Sequence, residues 1–277
     1  MLRHQYLTGK PLDSLLQRIY NLNDKGKRIE FRGYQIVSLS QRVTDSVILF
    51  KSYIQQCEIN GYRDFDYKKE LLTALVKQSP SFILLFVSSS IQYWDSYEHG
   101  TISNLQFVWG IQGHPELMEK VFDYLLSVSP YMYDKYFDYS HAFFSDLKEE
   151  AEKKEATRFL TSYYKNNGNN YKAIDFVVYV AKRYFHNLYK ELMIDYVVSH
   201  NEIDFFRIDW FGNRGHYTTS GDITHYDVIV RQWTSVLEII EDVDNIKTLA
   251  VISQINKIVS DSKERADKER AKRRLYE

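Results

Sequence analysis

Residues that interrupt regular backbone structure are scarce in this chain. Its 277 residues include only 11 glycines and 4 prolines, the two residue types that most often end helices and form tight turns. Apolar residues recur at helical spacing, and the first such stripe, which follows Pro11, consists of Leu12, Leu15, Leu16 and Ile19. The pattern predicts an all-α fold of roughly ten to twelve helices. One exception is the segment from 25 to 33, where Ile29 and Phe31 could form a short strand.

Three segments of the chain share one plan. KELLTALVKQSPSFILLF (69–86), PELMEKVFDYLLSVSPYMYDKYF (115–137) and KELMIDYVVSHNEIDFFRIDWF (190–211) each begin with a Glu-Leu-Leu/Met step, break at a Ser-containing turn and resume with aromatic residues. Two-helix units of this kind bury their apolar faces only by stacking on one another. We therefore predict stacked helical hairpins, a TPR/HEAT-like α-solenoid, with an N-terminal helical segment at 1–62 and a helical-repeat array at 63–277. The alternative is an ordinary helical domain in which the similarity arises by chance.

Composition and charge exclude several classes of function. The formal net charge is −1, whereas nucleic-acid-binding proteins usually carry a strong basic excess, so we expect no nucleic-acid partner. The longest apolar run, Phe82–Val87, is far shorter than the roughly 20 residues that span a membrane. The start, MLRHQYLTGK, lacks the apolar core of a secretory signal. A single cysteine, Cys57, excludes an internal disulfide and is typical of a cytoplasmic protein.

Motifs that carry chemistry are missing from the sequence. It contains no phosphate-binding GxxxxGK[ST], no HExxH, no CxxC and no GxSxG. We therefore predict a protein that is not an enzyme and that has no cofactor and no metal. One catalytic alternative is a cryptic hydrolase that uses His216, His225 and Asp222, because histidine and carboxylate groups can act as acid and base.

A long polar loop stands between two aromatic segments in WFGNRGHYTTSGDITHYD (210–227). Loops carried by a rigid scaffold often display contact residues, and Trp, Tyr and Arg contribute most at protein interfaces. The predicted protein-recognition residues are Trp210, Arg214, His216 and Tyr217. The alternative is a solvated turn between helices, in which Asp222 and Thr224 serve as caps of the following helix.

The last helix changes character after Val259. DSKERADKERAKRRLYE loses the apolar stripe and becomes charged, with Glu264–Lys268 and Glu269–Arg273 placed four residues apart for ion pairing. The pattern is typical of a solvated terminal helix or a frayed tail. A docking element for another chain is the alternative.

The C-terminal third carries a family resemblance. YKELMIDYVVSHNEIDFFRIDWF, a Gly/Ser loop, ITHYDVIVRQWTSVLEII and finally ADKERAKRRLYE resemble the C-terminal helical-repeat, or sensor, region of bacterial STAND NTPases of the AVAST antiphage-defence type. The resemblance is best over 189–277 and extends from about residue 66. The sequence departs from that pattern in a loop, 212–221, with fewer serines, and no proline opens the next helix. The NTPase phosphate loop and the effector are also missing, so no catalytic residue is carried over.

The resemblance implies a function in antiviral defence. In that family a helical array binds a foreign phage protein and signals to NTPase and effector domains, and oligomerisation follows. The implied partners here are a protein ligand, NTPase or effector domains in cis or in trans, and further copies of the chain in a full-length context. A generic helical-repeat scaffold for protein–protein interaction is the main alternative. An RNA-binding helical repeat is a weaker one, since the near-neutral charge disfavours it.

Overall fold

The structure of the protein, a computed structural model, is helical in the part of the chain that it describes. That part comprises residues 8–31, 35, 38–40, 42–59, 83, 84, 87, 108, 109, 115–128, 140, 141, 143–212 and 223–274. No strand occurs among these residues. The prediction of an all-α fold is confirmed.

The chain divides into two compact units, Met1–Asp146 and Leu147–Glu277. Among the described residues, the helices of the first unit with defined bounds are α1 (Lys10–Asp24), α2 (Ser46–Ile59) and α3 (Pro115–Val128). Those of the second are α4 (Glu150–Asn166), α5 (Tyr171–Tyr184), α6 (His186–Ser199), α7 (Glu202–Phe205), α8 (Asp209–Gly212), α9 (His225–Ile240) and α10 (Ile246–Arg274). The predicted boundary between residues 62 and 63 lies outside the described residues and stays a prediction.

In the first unit, α1 packs against α2. Helix α1 begins at Lys10 with Pro11 in its first turn, as predicted. Gly9, which precedes it, has a φ of 60°, a conformation that favours glycine, and its N–H donates to the carbonyl of Arg42 at 2.7 Å. The stripe is narrower than predicted, because Leu12 and Leu16 are buried whereas Leu15 is 41% exposed.

The predicted short strand at Ile29 and Phe31 is wrong. The backbone there pairs with side-chain amides instead of another strand. The Asn23 side chain accepts from the Ile29 N–H at 2.7 Å and donates to the Ile29 carbonyl at 3.0 Å. Gln56, on α2, donates to the same carbonyl at 2.9 Å and accepts from the Phe31 N–H at 2.6 Å. The side-chain amides of Asn23 and Gln56 therefore satisfy the backbone N–H and carbonyl groups that a neighbouring strand would otherwise pair.

In the second unit, α5 lies in the centre of the core. Helix α4 ends at Asn166, just before Asn167 and Gly168, and Asn170 caps α5 by accepting from the Ala173 N–H. Helix α5 is buried from Ala173 to Ala181 without interruption, and α4, α6 and α8 all pack against it. A helix that is apolar on nearly every side belongs in a core.

Helix α6 joins α5 to the last hairpin. It begins at His186, directly after the Phe185 corner at the end of α5, so the chain forms two helices between residues 171 and 199. Helix α6 also packs against α9 and α10, while α7 packs against α10 and α8 packs against α9.

Helix α10 keeps a buried face farther than the sequence indicated. Its buried positions continue beyond Val259 to Ser262 and Ala266, where small residues replace the large apolar ones. The helix runs to Arg274, so the frayed-tail reading is wrong over those residues. The predicted pairs Glu264–Lys268 and Glu269–Arg273 are both present. Among the described helices, none is long and apolar enough to cross a membrane.

Candidate protein-recognition surface

The four predicted recognition residues fall largely beyond the described residues. Arg214, His216 and Tyr217 lie in 213–222, which the structure does not describe. The backbone of Trp210 belongs to α8, and its side chain is also outside the described part. The recognition role of these four residues therefore stays a prediction.

An aromatic cluster holds α8, the helix that directly precedes this loop. The Phe211 ring is fully buried and stacks on Phe205 with ring centres 4.8 Å apart. Tyr196, on α6, also packs against Phe211, with ring centres 5.4 Å apart. Contacts of this kind add to the burial of apolar area. The loop therefore leaves from a firmly packed helix.

The residues after the loop form a capping box at the start of α9. The Thr224 hydroxyl accepts from the Asp227 N–H at 3.2 Å, and the Asp227 carboxylate accepts from the Thr224 N–H at 2.7 Å. The capping role predicted for Thr224 is confirmed. Arg270 of α10 donates to both carboxylate oxygens of Asp227, at 2.7 and 2.8 Å. This pair ties the start of α9 to the end of α10.

The described part of the chain does not bring together the histidine and carboxylate groups that the hydrolase alternative requires. His216 and Asp222 lie outside it, and His225 is exposed in the first turn of α9. Asp227, the carboxylate nearest to His225 in sequence, is engaged by Arg270 and Thr224. No group of three or more His, Cys, Asp or Glu residues that could hold a metal ion occurs in the described residues.

The Asp227 carboxylate should contribute stability that disappears in acid. Hydrogen bonds from Arg270 and from the Thr224 backbone lower its pKa from 3.8 to about 2. Because the pKa in the folded protein lies below the ordinary value, the contribution is complete above about pH 4 and is lost as pH falls towards 2. Both side chains are about a third exposed, at 32% for Arg270 and 28% for Asp227, so solvent screening limits the contribution.

We expect Asp227→Asn to lower the free energy of unfolding by about 1–2 kcal/mol at neutral pH. Asparagine keeps one oxygen that can accept from the Thr224 N–H, so the variant removes the negative charge and one of the two acceptors of Arg270. Denaturant titrations of both proteins across the acid range should show the difference shrinking below about pH 4, the region set by the lowered pKa. Asp261→Asn, at an exposed position on α10, is the control and should change little. A difference that persists unchanged in acid would contradict the assignment.

A polar cluster that sequence reasoning missed links the start of α5 to α7. The Tyr171 hydroxyl donates to Asp204 at 2.8 Å and accepts from Arg207 at 3.0 Å. The Arg207 guanidinium also lies over the Tyr171 ring, 5.0 Å from its centre. These residues are more than thirty positions apart, and no spacing rule would have paired them. The cluster fixes α7 on the N-terminal end of α5.

A half-buried lysine lies at the opposite end of α5. Burial lowers the pKa of Lys182 to about 8, and its Nζ is 5.4 Å from the ring centre of Tyr189. At neutral pH the amine is still mostly protonated, so the contact with the ring is a cation–π interaction. It stabilises the corner between α5 and α6.

A polar groove that is open to solvent lies beside α1, and the carboxylates that line it accept hydrogen bonds from the protein itself. The groove is lined by residues that include Asp13, Gln17, Asn21 and Asp45. Asp13 accepts from the Thr44 N–H at 3.0 Å and from the Thr44 hydroxyl, and these bonds outweigh burial and lower its pKa. Asp45 caps α2 by accepting from the Val47 and Ile48 N–H groups. Asp13 therefore links α1 to the segment before α2, and Asp45 stabilises the start of α2.

Large apolar side chains are exposed together at one end of the second unit. Lys247, in the first turn of α10, donates to the carbonyl of Ser199 at 2.9 Å, and α7 follows Ser199 in sequence and packs against α10. The last turn of α6, helix α7 and the first turn of α10 therefore meet. The exposed apolar residues on these elements are Val198, Ile203, Ile246 and Leu249, and Ile194 is exposed one turn earlier on α6. These five residues are here named the α6–α10 patch.

Exposure in the α6–α10 patch is large for apolar side chains. Ile246 is 83% exposed, Ile203 63% and Leu249 62%. Single exposed apolar residues are ordinary, but several of them on elements that contact each other are typical of an interaction surface. The sequence predicted an apolar stripe on α10 as far as Val259. It did not indicate that the apolar side chains of the first turn are exposed to solvent.

The fold and this surface define the protein as an all-α protein with an exposed apolar patch at one end of its second unit. No family model, no curated protein and no solved structure matches the chain.

Proposed function

We propose that this chain is a helical protein-recognition module whose second unit binds a partner protein through the α6–α10 patch. The observation that carries the proposal is the exposure of Ile203, Ile246 and Leu249 at one end of the unit. Burial of such side chains against a partner supplies roughly 25 cal/mol per Å² of apolar area. Exposure to water gives no such gain in free energy. A role of these side chains in a protein interface is therefore favoured.

We also propose that the second unit is built from stacked helical hairpins. The contacts that support this run mainly in chain order, from α4 to α5, from α5 to α6, from α6 to α9 and from α9 to α10. Contacts between consecutive hairpins are typical of helical-repeat arrays. The short helices α7 and α8 lie within the connection from α6 to α9 and would be an insertion in the array.

The finer proposal is a sensor of antiphage defence that binds a phage protein and signals to an NTPase or effector. It rests on the resemblance of residues 189–277 to the sensor region of AVAST-type STAND NTPases. The helices of the second unit are in keeping with it. The proposal assigns no catalytic residue to this chain.

A pull-down with matched variants tests the recognition function. We expect the tagged full chain to retain a specific set of proteins from bacteria before or after phage infection, and Ile246→Ser/Leu249→Ser to reduce their recovery by about tenfold or more, because buried apolar anchors dominate binding energy. The control is Leu15→Ser/Val47→Ser, which changes two exposed apolar residues of the first unit and should bind as the unchanged chain does. Quantitative mass spectrometry reads the recovery.

A third variant separates the patch from the loop. Arg214→Ala/Tyr217→Ala removes two of the predicted loop residues. If this variant alone loses binding, the binding site lies at the predicted loop residues and not at the α6–α10 patch. Equal recovery by all variants, or recovery no better than that of the tag alone, would contradict the proposal.

A further inference from the structure

We propose that the partner of the α6–α10 patch presents a basic amphipathic helix. The inference rests on the proposed recognition function and adds the chemistry of the partner. It follows from the charged residues that surround the patch and from the spacing of the apolar residues within it.

The apolar residues of the patch stand on two helices that contact each other. Ile194 and Val198 are one turn apart on α6, and Ile246 and Leu249 are one turn apart on α10. Helices α6 and α10 pack together, and Ile203 of α7 adds a fifth apolar side chain at the same end. Two short apolar rows of this kind fit the apolar stripe of a helix, whose anchors recur at i, i+3, i+4 and i+7.

The exposed charges next to the patch are predominantly acidic. Glu241, Asp242 and Asp244 lie in the turn between α9 and α10, just before Ile246, and all three are exposed. Glu202, also exposed, directly precedes Ile203. The patch is therefore bordered by four carboxylates on α7 and on the α9–α10 turn.

The cations on α6, on α7 and the residues after it, and on the first turn of α10 are Lys190, Lys247 and Arg207, and the carboxylates on these elements and on the α9–α10 turn outnumber them. Lys247 donates to the carbonyl of Ser199 at 2.9 Å. Arg207 is bound to Tyr171 at 3.0 Å and pairs with Asp204 at 3.4 Å. The border of the patch consequently carries an excess of negative charge. Such a border steers a basic partner towards the patch and repels an acidic one.

The test uses three designed helical peptides that share one leucine stripe and differ only at their polar positions, which are lysine, glutamine or glutamate. Binding to the full chain is measured by fluorescence anisotropy. We expect the lysine peptide to bind about tenfold tighter than the glutamine peptide, and the glutamate peptide to bind more weakly than either. Raising the salt from about 50 mM to about 500 mM should remove most of the preference, since the border charges are exposed.

Two sets of variants assign the effect to residues. Asp242→Lys/Asp244→Lys should reverse the preference between the lysine and glutamate peptides and leave the glutamine peptide almost unchanged. The matched control, Asp24→Lys/Asp261→Lys, makes the same change of net charge at exposed positions that belong neither to the patch nor to the acidic segments beside it, and should preserve the preference. Ile246→Ser/Leu249→Ser should weaken all three peptides about tenfold.

The outcomes separate this inference from the recognition function. If the three peptides bind equally well and their binding depends on Ile246 and Leu249, the inference of a basic partner is wrong. The proposed recognition function is then unaffected. A lysine preference that survives Asp242→Lys/Asp244→Lys would also overturn the inference, because it would reflect net charge alone. Association of the chain with itself in sedimentation, lost in Ile246→Ser/Leu249→Ser, would identify a second copy as the occupant. Binding that ignores Ile246 and Leu249 would contradict the recognition function of the patch itself.

Discussion

Phe211→Ala is expected to lower the free energy of unfolding of the second unit by about 3–5 kcal/mol. Phe211 has no exposed surface, and its ring packs against the rings of Phe205 and Tyr196. Truncation removes the transfer free energy of a phenyl group and leaves a cavity that the fixed neighbours fill only in part. The helices α5, α6 and α9 all meet this region, so the loss should affect the whole unit.

Denaturant unfolding followed by circular dichroism measures this loss, and hydrogen exchange of peptides from 186 to 212 assigns it to the second unit. Phe211→Leu keeps an apolar side chain and should cost much less, about 1–2 kcal/mol. Ile246→Ala, at a side chain that is 83% exposed, should change stability by no more than about 0.5 kcal/mol. If Phe211→Ala costs no more than Ile246→Ala, the aromatic cluster does not form the centre of the unit.

The starts and ends of several helices could be predicted because local chemistry sets them. A proline fits the first turn of a helix, which explains α1 and α3. Thr224 with Asp227 three residues later forms a capping box from adjacent residues. The Asn-Gly pair after α4 ends that helix for reasons that also lie within a few residues.

Covered and uncovered faces could not be predicted in the same way. Val251, Ile255 and Val259 are buried on α10, whereas Ile246 and Leu249 on the same helix are exposed. Both groups have helical spacing, and only the position of α9 and α6 decides which one is covered. The α6–α10 patch therefore became visible only in the structure.

The polar contacts missed from the sequence join distant residues. Tyr171, Asp204 and Arg207 meet because α7 folds back on the start of α5. Ile29 and Phe31 were assigned to a strand because β-branched and aromatic residues favour one. Two side-chain amides satisfy their backbone groups instead, one from Asn23 near the end of α1 and one from Gln56 on α2. The predicted loop residues Arg214, His216 and Tyr217 lie outside the described part, and their role stays a prediction.

We expect Gln56→Ala to lower the free energy of unfolding of the first unit by about 2–3 kcal/mol. Gln56 is only 3% exposed, and its side-chain amide holds the segment after α1 through bonds to the Phe31 N–H and the Ile29 carbonyl. Alanine leaves the Phe31 N–H without this acceptor, and an unsatisfied backbone donor costs about 1–3 kcal/mol where water cannot replace the bond. The lost side-chain volume adds a smaller cost.

Hydrogen exchange at Phe31 and denaturant unfolding together measure the effect of Gln56→Ala. The Phe31 amide should lose its protection in the variant, since Gln56 is its acceptor. Gln17→Ala is the matched control, because Gln17 is exposed on α1 and bonds to Asn21 within the same helix. It should change stability by less than about 0.5 kcal/mol. Equal stability of the two variants would mean that the segment after α1 is held by its apolar contacts and that the amide pairing contributes little.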